Sequence, residues 1–145
     1  VAASLNNLAN LYNSQGRYSE AEPLYIEALA LTRQLLDEEH LNVESLSNLA
    51  QLYNSQGRYS EAEPLFIQAL ALRRKLLGEE HPNVGASLND LALLYYSQGR
   101  YSEAEPLCVQ ALDICERQLG ANHPNTVTVR EGLAYLRDRL PPNPE

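Results

Sequence analysis

The residues best suited by type to do chemistry in this chain come in repeating sets. His40, His81 and His123 stand 41 and 42 residues apart, and an imidazole can ligate a metal or move a proton. Glu-x-Glu pairs such as Glu20 with Glu22 return in each copy, offering the residue type of an acid–base dyad. Cys108 and Cys115 supply two thiols. Each set fails the geometry its chemistry requires. A metal needs ligands converging on one point, whereas repetition holds equivalent histidines a repeat apart, so they are read as structural. The glutamates fall at helix starts, where they serve as capping residues. Seven residues of helix put the two cysteines about 10 Å apart along one axis, beyond the roughly 7 Å between Cα atoms that a disulfide tolerates. Free thiols fit a reducing, cytoplasmic setting. Cys108 aligns with Tyr25 and Phe66 and reads as a small core residue, while Cys115 aligns with Thr32 and Arg73 and reads as partly exposed. No phosphate-cradling glycine loop, metal-ligand cluster or nucleophile motif is present, so the expectation is no enzyme, no cofactor and no metal.

The repetition itself is the stronger signal. Leu11 to Leu24 recurs letter for letter at Leu52 to Leu65, and returns with small changes at Leu94 to Leu107. Gly16, Gly57 and Gly99 repeat the spacing of 41 and 42. The one-residue difference lies where Val43-Glu-Ser-Leu46 is one shorter than Val84-Gly-Ala-Ser-Leu88. Copies of one unit stack, and stacked units build long surfaces rather than catalytic pockets. The chain opens in mid-motif at Val1, the pattern of a piece of a longer protein.

Composition narrows the partners. The 145 residues are 44% hydrophobic and 21% charged, the balance of an ordered soluble domain. The net charge of −8 argues against nucleic acid and anionic membranes, which demand clustered Lys and Arg; it reads first as a solvated outer face, with a preference for neutral or basic partners as the sharper alternative. No apolar run is long enough to span a bilayer, and no signal-peptide pattern is present.

Each unit reads as two helices around a Ser-Gln-Gly-Arg-Tyr-Ser turn. Leu5, Leu8, Ala9 and Tyr12 share one helical face, repeated as Leu46, Leu49, Ala50, Tyr53 and as Leu88, Leu91, Ala92, Tyr95. Gly16, Gly57 and Gly99 follow the last periodic residue, where a left-handed backbone ends a helix. Ser19 with Glu22, Ser60 with Glu63 and Ser102 with Glu105 have capping-box spacing, which starts the second helix there and puts Pro23, Pro64 and Pro106 in its first turn. The second helix of unit one then carries Ala21, Leu24, Tyr25, Ala28, Leu31 and Leu35, with Ala9, Ala21 and Ala28 allowing close approach. Gly78 and Gly120 stop this helix in units two and three, where His81-Pro82-Asn83 and His123-Pro124-Asn125 start the next. Asp37 and Leu41 replace the glycine and proline of that junction, predicting a less regular passage from unit one to unit two. Arg17, Arg58 and Arg100 recur in the turn and are expected to satisfy carbonyls or nearby carboxylates.

Leu8, Ala9, Tyr12, Gly16, Tyr18, Ala21, Tyr25 and Ala28 fall on the signature places of the tetratricopeptide repeat, with Leu5 in the usual Trp place. The period near 42, the Leu-Gly-Glu-Glu-His-Pro-Asn-Val linker and Glu-Ala-Glu-Pro-Leu resemble the kinesin light chain type, and the near-identity of copies resembles bacterial scaffold arrays. The resemblance implies an all-α, right-handed α-solenoid in one domain: repeats at 1–42, 43–83 and 84–123, a capping helix at 124–140 and a Pro-rich tail at 141–145. In that cap Leu133 and Ala134 keep the packing face, while Arg130 and Arg137 replace Leu88 and Tyr95 where no further helix follows.

The same resemblance implies a concave groove lined by the first helix of each unit, holding a peptide or protein segment. Its lining residues would be Asn6, Asn10 and Asn13, then Ser47, Gln51 and Asn54, then Asn89, Leu93 and Tyr96, with Glu131, Tyr135 and Asp138 from the cap. Amides both donate and accept, so such a ladder suits an extended backbone. Leu93 and Tyr96 interrupt it and either form a pocket for one anchoring side chain or pack beneath the cap. A carboxylate clamp for acidic tails is disfavoured, because Asn6, Ala86 and Asp90 stand where that clamp needs basic residues. The alternative function is self-association through uncovered Leu5 and Leu8 on the first repeat.

Overall fold

The computed structural model describes the backbone of residues 1–33 and 39–140, and their side chains apart from those of 33 and 39–42. Within it the chain forms helices α1 (Ala2–Ser14), α2 (Tyr18–Arg33), α3 (Glu39–Ser55), α4 (Tyr59–Leu77), α5 (Pro82–Ser97), α6 (Tyr101–Leu119) and α7 (Pro124–Arg137). No strand occurs among the described residues. Expectations for Leu35, Asp37, the His40 and Leu41 side chains and the tail at 141–145 fall outside the described residues. The chain divides into two compact units, one of Val1–Leu72 and one from Arg73 onward, with the division inside α4.

The turn between paired helices is built the same way each time. Gly57 takes φ +74°, its N–H donates to Asn54 O at 3.0 Å, and the Arg58 N–H donates to Tyr53 O at 2.8 Å. Those two bonds are the Schellman pattern, which satisfies carbonyls a helix end otherwise leaves bare. The same pair of bonds closes α1 at Gly16 and α5 at Gly99. The arginine after the glycine lies over the tyrosine whose carbonyl it caps, at 4.3 Å for Arg17 on Tyr12 and 4.2 Å for both Arg58 on Tyr53 and Arg100 on Tyr95. A cation–π contact thus occupies the place where this motif ordinarily carries an apolar pair.

That turn also corrects the helix starts. The capping boxes do not form: α2, α4 and α6 begin at Tyr18, Tyr59 and Tyr101, so Ser19, Ser60 and Ser102 sit one residue inside. The arginine itself occupies the boundary, its carbonyl accepting from Ala21, Ala62 or Ala104. Its guanidinium reaches three residues on, with Arg58 Nη2 to Glu61 Oε2 at 2.6 Å and matching pairs of Arg17 with Glu20 and Arg100 with Glu103. A carboxylate at a helix N-terminus is also favoured by the peptide dipoles there. The glutamate expected to close the box serves the next repeat instead: Glu22 accepts from Tyr53 Oη at 3.1 Å and Arg58 Nη1 at 2.9 Å. With helices starting earlier, Pro23, Pro64 and Pro106 lie in the second turn rather than the first.

In the first unit, Ala9, Ala21, Tyr25 and Ala28 are wholly buried, as the close approach of α1 and α2 requires. Leu46, Leu49, Ala50 and Tyr53 of α3 are buried as a set. The equivalent face of α1 departs from this: Leu8 is 40% exposed and Leu11 52%, because neither α2 nor α3 covers them. Their counterparts Leu49 and Leu52 are buried.

In the second unit Ala92, Ala104, Cys108, Leu133 and Leu136 form one cluster with Tyr95, Tyr96 and Tyr101 against it. His81 and His123 are the N-caps of α5 and α7, each Nδ1 accepting from a backbone N–H two residues on, Asn83 at 3.0 Å and Asn125 at 3.1 Å. Pro82 and Pro124 hold the preceding histidine extended. Leu41 exerts no such restraint, and α3 starts two residues earlier in register, at Glu39. Two sequence expectations are corrected here. Cys115 is buried, packed near the N-terminal part of α5, not partly exposed. On α7 the buried stripe is Thr126, Val129, Leu133 and Leu136, so Ala134 is exposed and Leu136 takes its packing role. Arg130 and Arg137 are exposed as expected, Arg137 Nε meeting Glu105 at 3.1 Å. Both cysteines are free.

Two glycine substitutions separate backbone from packing. A Cβ at Gly57 or Gly132 would meet nothing within 4 Å, but only Gly57 has positive φ. Gly57→Ala is expected to destabilise by about 1–2 kcal/mol, and Gly132→Ala inside α7 to stabilise by about 0.5–1 kcal/mol. Urea unfolding followed by circular dichroism reads both, and the shifts should have opposite signs.

Candidate functional site

The wall expected from the sequence is the face of the first-type helices, α1 and α3 in one unit and α5 and α7 in the other. The first wall is narrower in residues than its sequence promised. Asn6 is 1% exposed and its Nδ2 donates to Ser45 Oγ at 2.8 Å, so it ties α1 to α3 instead of facing a ligand. Ser47 is buried as well. Asn10, Asn13 and Asn54 are half-buried and Gln51 is exposed. Asn10 accepts a hydrogen bond from Tyr25 Oη, which fixes its carbonyl inward and leaves its N–H₂ group as the free donor. Burial holds that Tyr25 hydroxyl protonated, its pKa raised above the usual value.

The second wall has relief. A hollow of about 80 Å³ opens between α5 and α7, lined by Asn89, Leu93 and Tyr96 from α5 and by Gly132 and Tyr135 from α7. Leu93 is 50% and Tyr135 54% exposed, large apolar side chains held in contact with water. Tyr96 is clasped by two rings, Tyr101 at 5.3 Å and Tyr135 at 5.9 Å between centroids, in tilted arrangements. Arg139 covers the Tyr135 ring at 3.6 Å. Leu93 lines this hollow from an exposed position, while Tyr96 both lines it and packs on the cluster beneath. Glu131 and Asp138 are exposed at its edge of the chain.

A second hollow of about 220 Å³ continues along the same helices, and Asn89 lines both. Ala86, Leu119 and Val129 form apolar walls, with Asp90, Asn125 and Thr128 the polar members. Among the described residues no hydrogen bond or ion pair reaches the Asp90 carboxylate. Burial raises its pKa from 3.8 to about 6, only partly offset by the Arg73 charge. Arg73 is committed elsewhere, donating to Ser87 Oγ at 2.8 Å and to Asn83 O at 3.3 Å. Asn48, the register equivalent of Asp90 on α3, has a side-chain nitrogen buried without a partner. In the sequence Asp90 argues only against an acidic ligand; nothing in the repeat pattern shows that its carboxylate lacks a partner.

Among the described residues no group of three potential metal ligands gathers, and no helix is long and apolar enough to cross a membrane. The helix pairs, Schellman turns and laterally packed first helices define a helical-repeat interaction module. The chain belongs to the tetratricopeptide repeat family, whose model matches residues 1–66, 43–107 and 94–140, and its repeats are of the kinesin light chain type. It is similar to the putative kinesin light chain of Podosopora anserina with nearly identical TPR-like repeats, at 31% identity and TM-score 0.84, covering 94% of this chain and 65% of that one. It is also similar to BtubC (BKLC) from P. vanneervenii, at 28% identity and TM-score 0.81, covering 93% of this chain and 56% of that one. NprR in complex with its cognate peptide NprX shares the fold at 19% identity and TM-score 0.80, covering 96% of this chain and 39% of NprR. The chain therefore spans less than two thirds of each of these proteins. No curated protein matches it in sequence. The match is to a protein-interaction repeat and not to an enzyme family.

The unpaired carboxylate sets a pH signature. Because the folded-state pKa of Asp90 lies above its unfolded value, the native state holds the proton more tightly and stability falls as pH rises through the window from about 4 to 6. Asp90→Asn should therefore stabilise the protein at pH 7.5, by about 2 kcal/mol after allowance for partial exposure, and make no difference below about pH 4. Urea midpoints of both proteins across this range measure the gap.

Proposed function

We propose that the chain is a non-catalytic scaffold that holds an extended segment of a partner protein, neutral or basic in charge, against its open helix walls. The observation that carries this reading is the α5/α7 hollow, where Leu93, Tyr96 and Tyr135 keep apolar surface accessible beside an amide. Concave apolar sites with a few placed polar groups are the usual form of a binding site. The half-open amides Asn10, Asn13, Gln51 and Asn54 suit a peptide backbone, and Asn89 does so beside the aromatic anchor. A relative of the same fold, NprR, is known in complex with a peptide, which supports the same use of the fold here. Panning random-sequence displayed peptides should enrich sequences with an apolar anchor, and Tyr96→Ala/Tyr135→Ala should weaken the selected peptides by roughly tenfold or more, the scale of an anchoring aromatic. Unchanged affinity in that double variant sinks the reading.

A second reading rests on Leu8 and Leu11, exposed in α1 although their counterparts in α3 and α5 are buried. A second copy presenting the same two leucines is the self-complementary cover, since exposed charged residues Arg130 and Arg137 on α7 do not match an apolar patch. Sedimentation velocity over a concentration series should then show growth in size that Leu8→Asp/Leu11→Asp abolishes. A concentration-independent monomer would refute it.

A further inference from the structure

Resting on the peptide-binding reading above, we propose that the Asp90 hollow takes one lysine or arginine side chain of the bound segment. The carboxylate meets the cationic head, and Ala86, Leu119 and Val129 wrap the aliphatic stem. The hollow has the two parts such a side chain needs, an apolar shaft and a single anion, in one cavity of about 220 Å³. Asp90 is half-buried, among the described residues no donor within the unit pairs with its carboxylate, and the nearby Arg73 is already spent on Ser87 and Asn83. A partly desolvated carboxylate without a partner is costly, and an incoming cationic side chain would complete the pair. The lining carries one carboxylate only, too few oxygens of the kind a hard metal ion requires, so an organic cation fits better. Asn89 borders both hollows, so a segment whose apolar residue enters the aromatic one lays a neighbouring side chain at Asp90. The net charge of −8 favours approach of a basic segment.

The test is a double-mutant cycle between protein and peptide. Peptides enriched by panning on the unaltered chain are expected to carry a basic residue at a fixed distance from the apolar anchor. Replacing that residue by leucine should weaken binding to the unaltered chain roughly tenfold, the scale of a charge-assisted hydrogen bond, and should not weaken binding to Asp90→Asn. Ala86→Leu, which fills the hollow from an exposed position, should erase the same difference. Equal weakening in both proteins, or enriched peptides with no basic residue at a fixed place, overturns the Asp90 assignment while peptide binding stands. If the unaltered chain enriches no peptide at all, the peptide-binding reading falls and this assignment falls with it.

Discussion

The contact on which this architecture depends is the stacking of an arginine on the tyrosine one turn back, across a left-handed glycine. In a single stroke it caps the end of one helix, covers an aromatic ring and delivers a guanidinium to the start of the next helix. In the first unit the same Arg58 also donates through Nη1 to Glu22 of the preceding hairpin. Lysine would not replace it, because a point charge cannot stack flat on a ring and bond two carboxylates in plane. Each half of the device is weak when exposed to water. Its value is geometric: it fixes the angle at which two helices leave the turn, and alanines wholly buried in α1 and α2 are possible only at that angle.

Much of this was legible in the residues themselves. The helices of the described residues, their pairing and the glycine stops follow from periodicity and turn chemistry, because the repeats report each element more than once. Helix starts were misread for an identifiable reason. Ser-x-x-Glu is the spacing of a capping box, but the Schellman closure of the previous helix already positions the arginine as the boundary residue, and tertiary geometry overrode the local motif. The boundary lies two residues earlier than the box implies, which carries each proline from the first turn into the second.

The candidate wall was legible in outline only. Periodicity assigns Asn6 and Ser47 to the same stripe as Asn10 and Gln51, yet α1 and α3 lie close enough for Asn6 to spend its amide on Ser45. Cys115 and Leu136 were missed because alignment to other repeats assumes equal surroundings, whereas α7 meets α6 with a stripe of its own. Asp90 was visible as an acidic residue in an unexpected place. Its isolation was not, since that depends on Arg73 being turned toward Ser87.

Gly132 gives the wall a property that stacking alone would not. It stands in mid-helix with ordinary dihedrals, faces open space where a side chain would begin and borders the aromatic recess. Larger residues can therefore enter at that place without bending the backbone, each narrowing the recess by its own size. If the recess holds a partner segment as proposed, single substitutions there would alter ligand choice and leave the packed interior untouched.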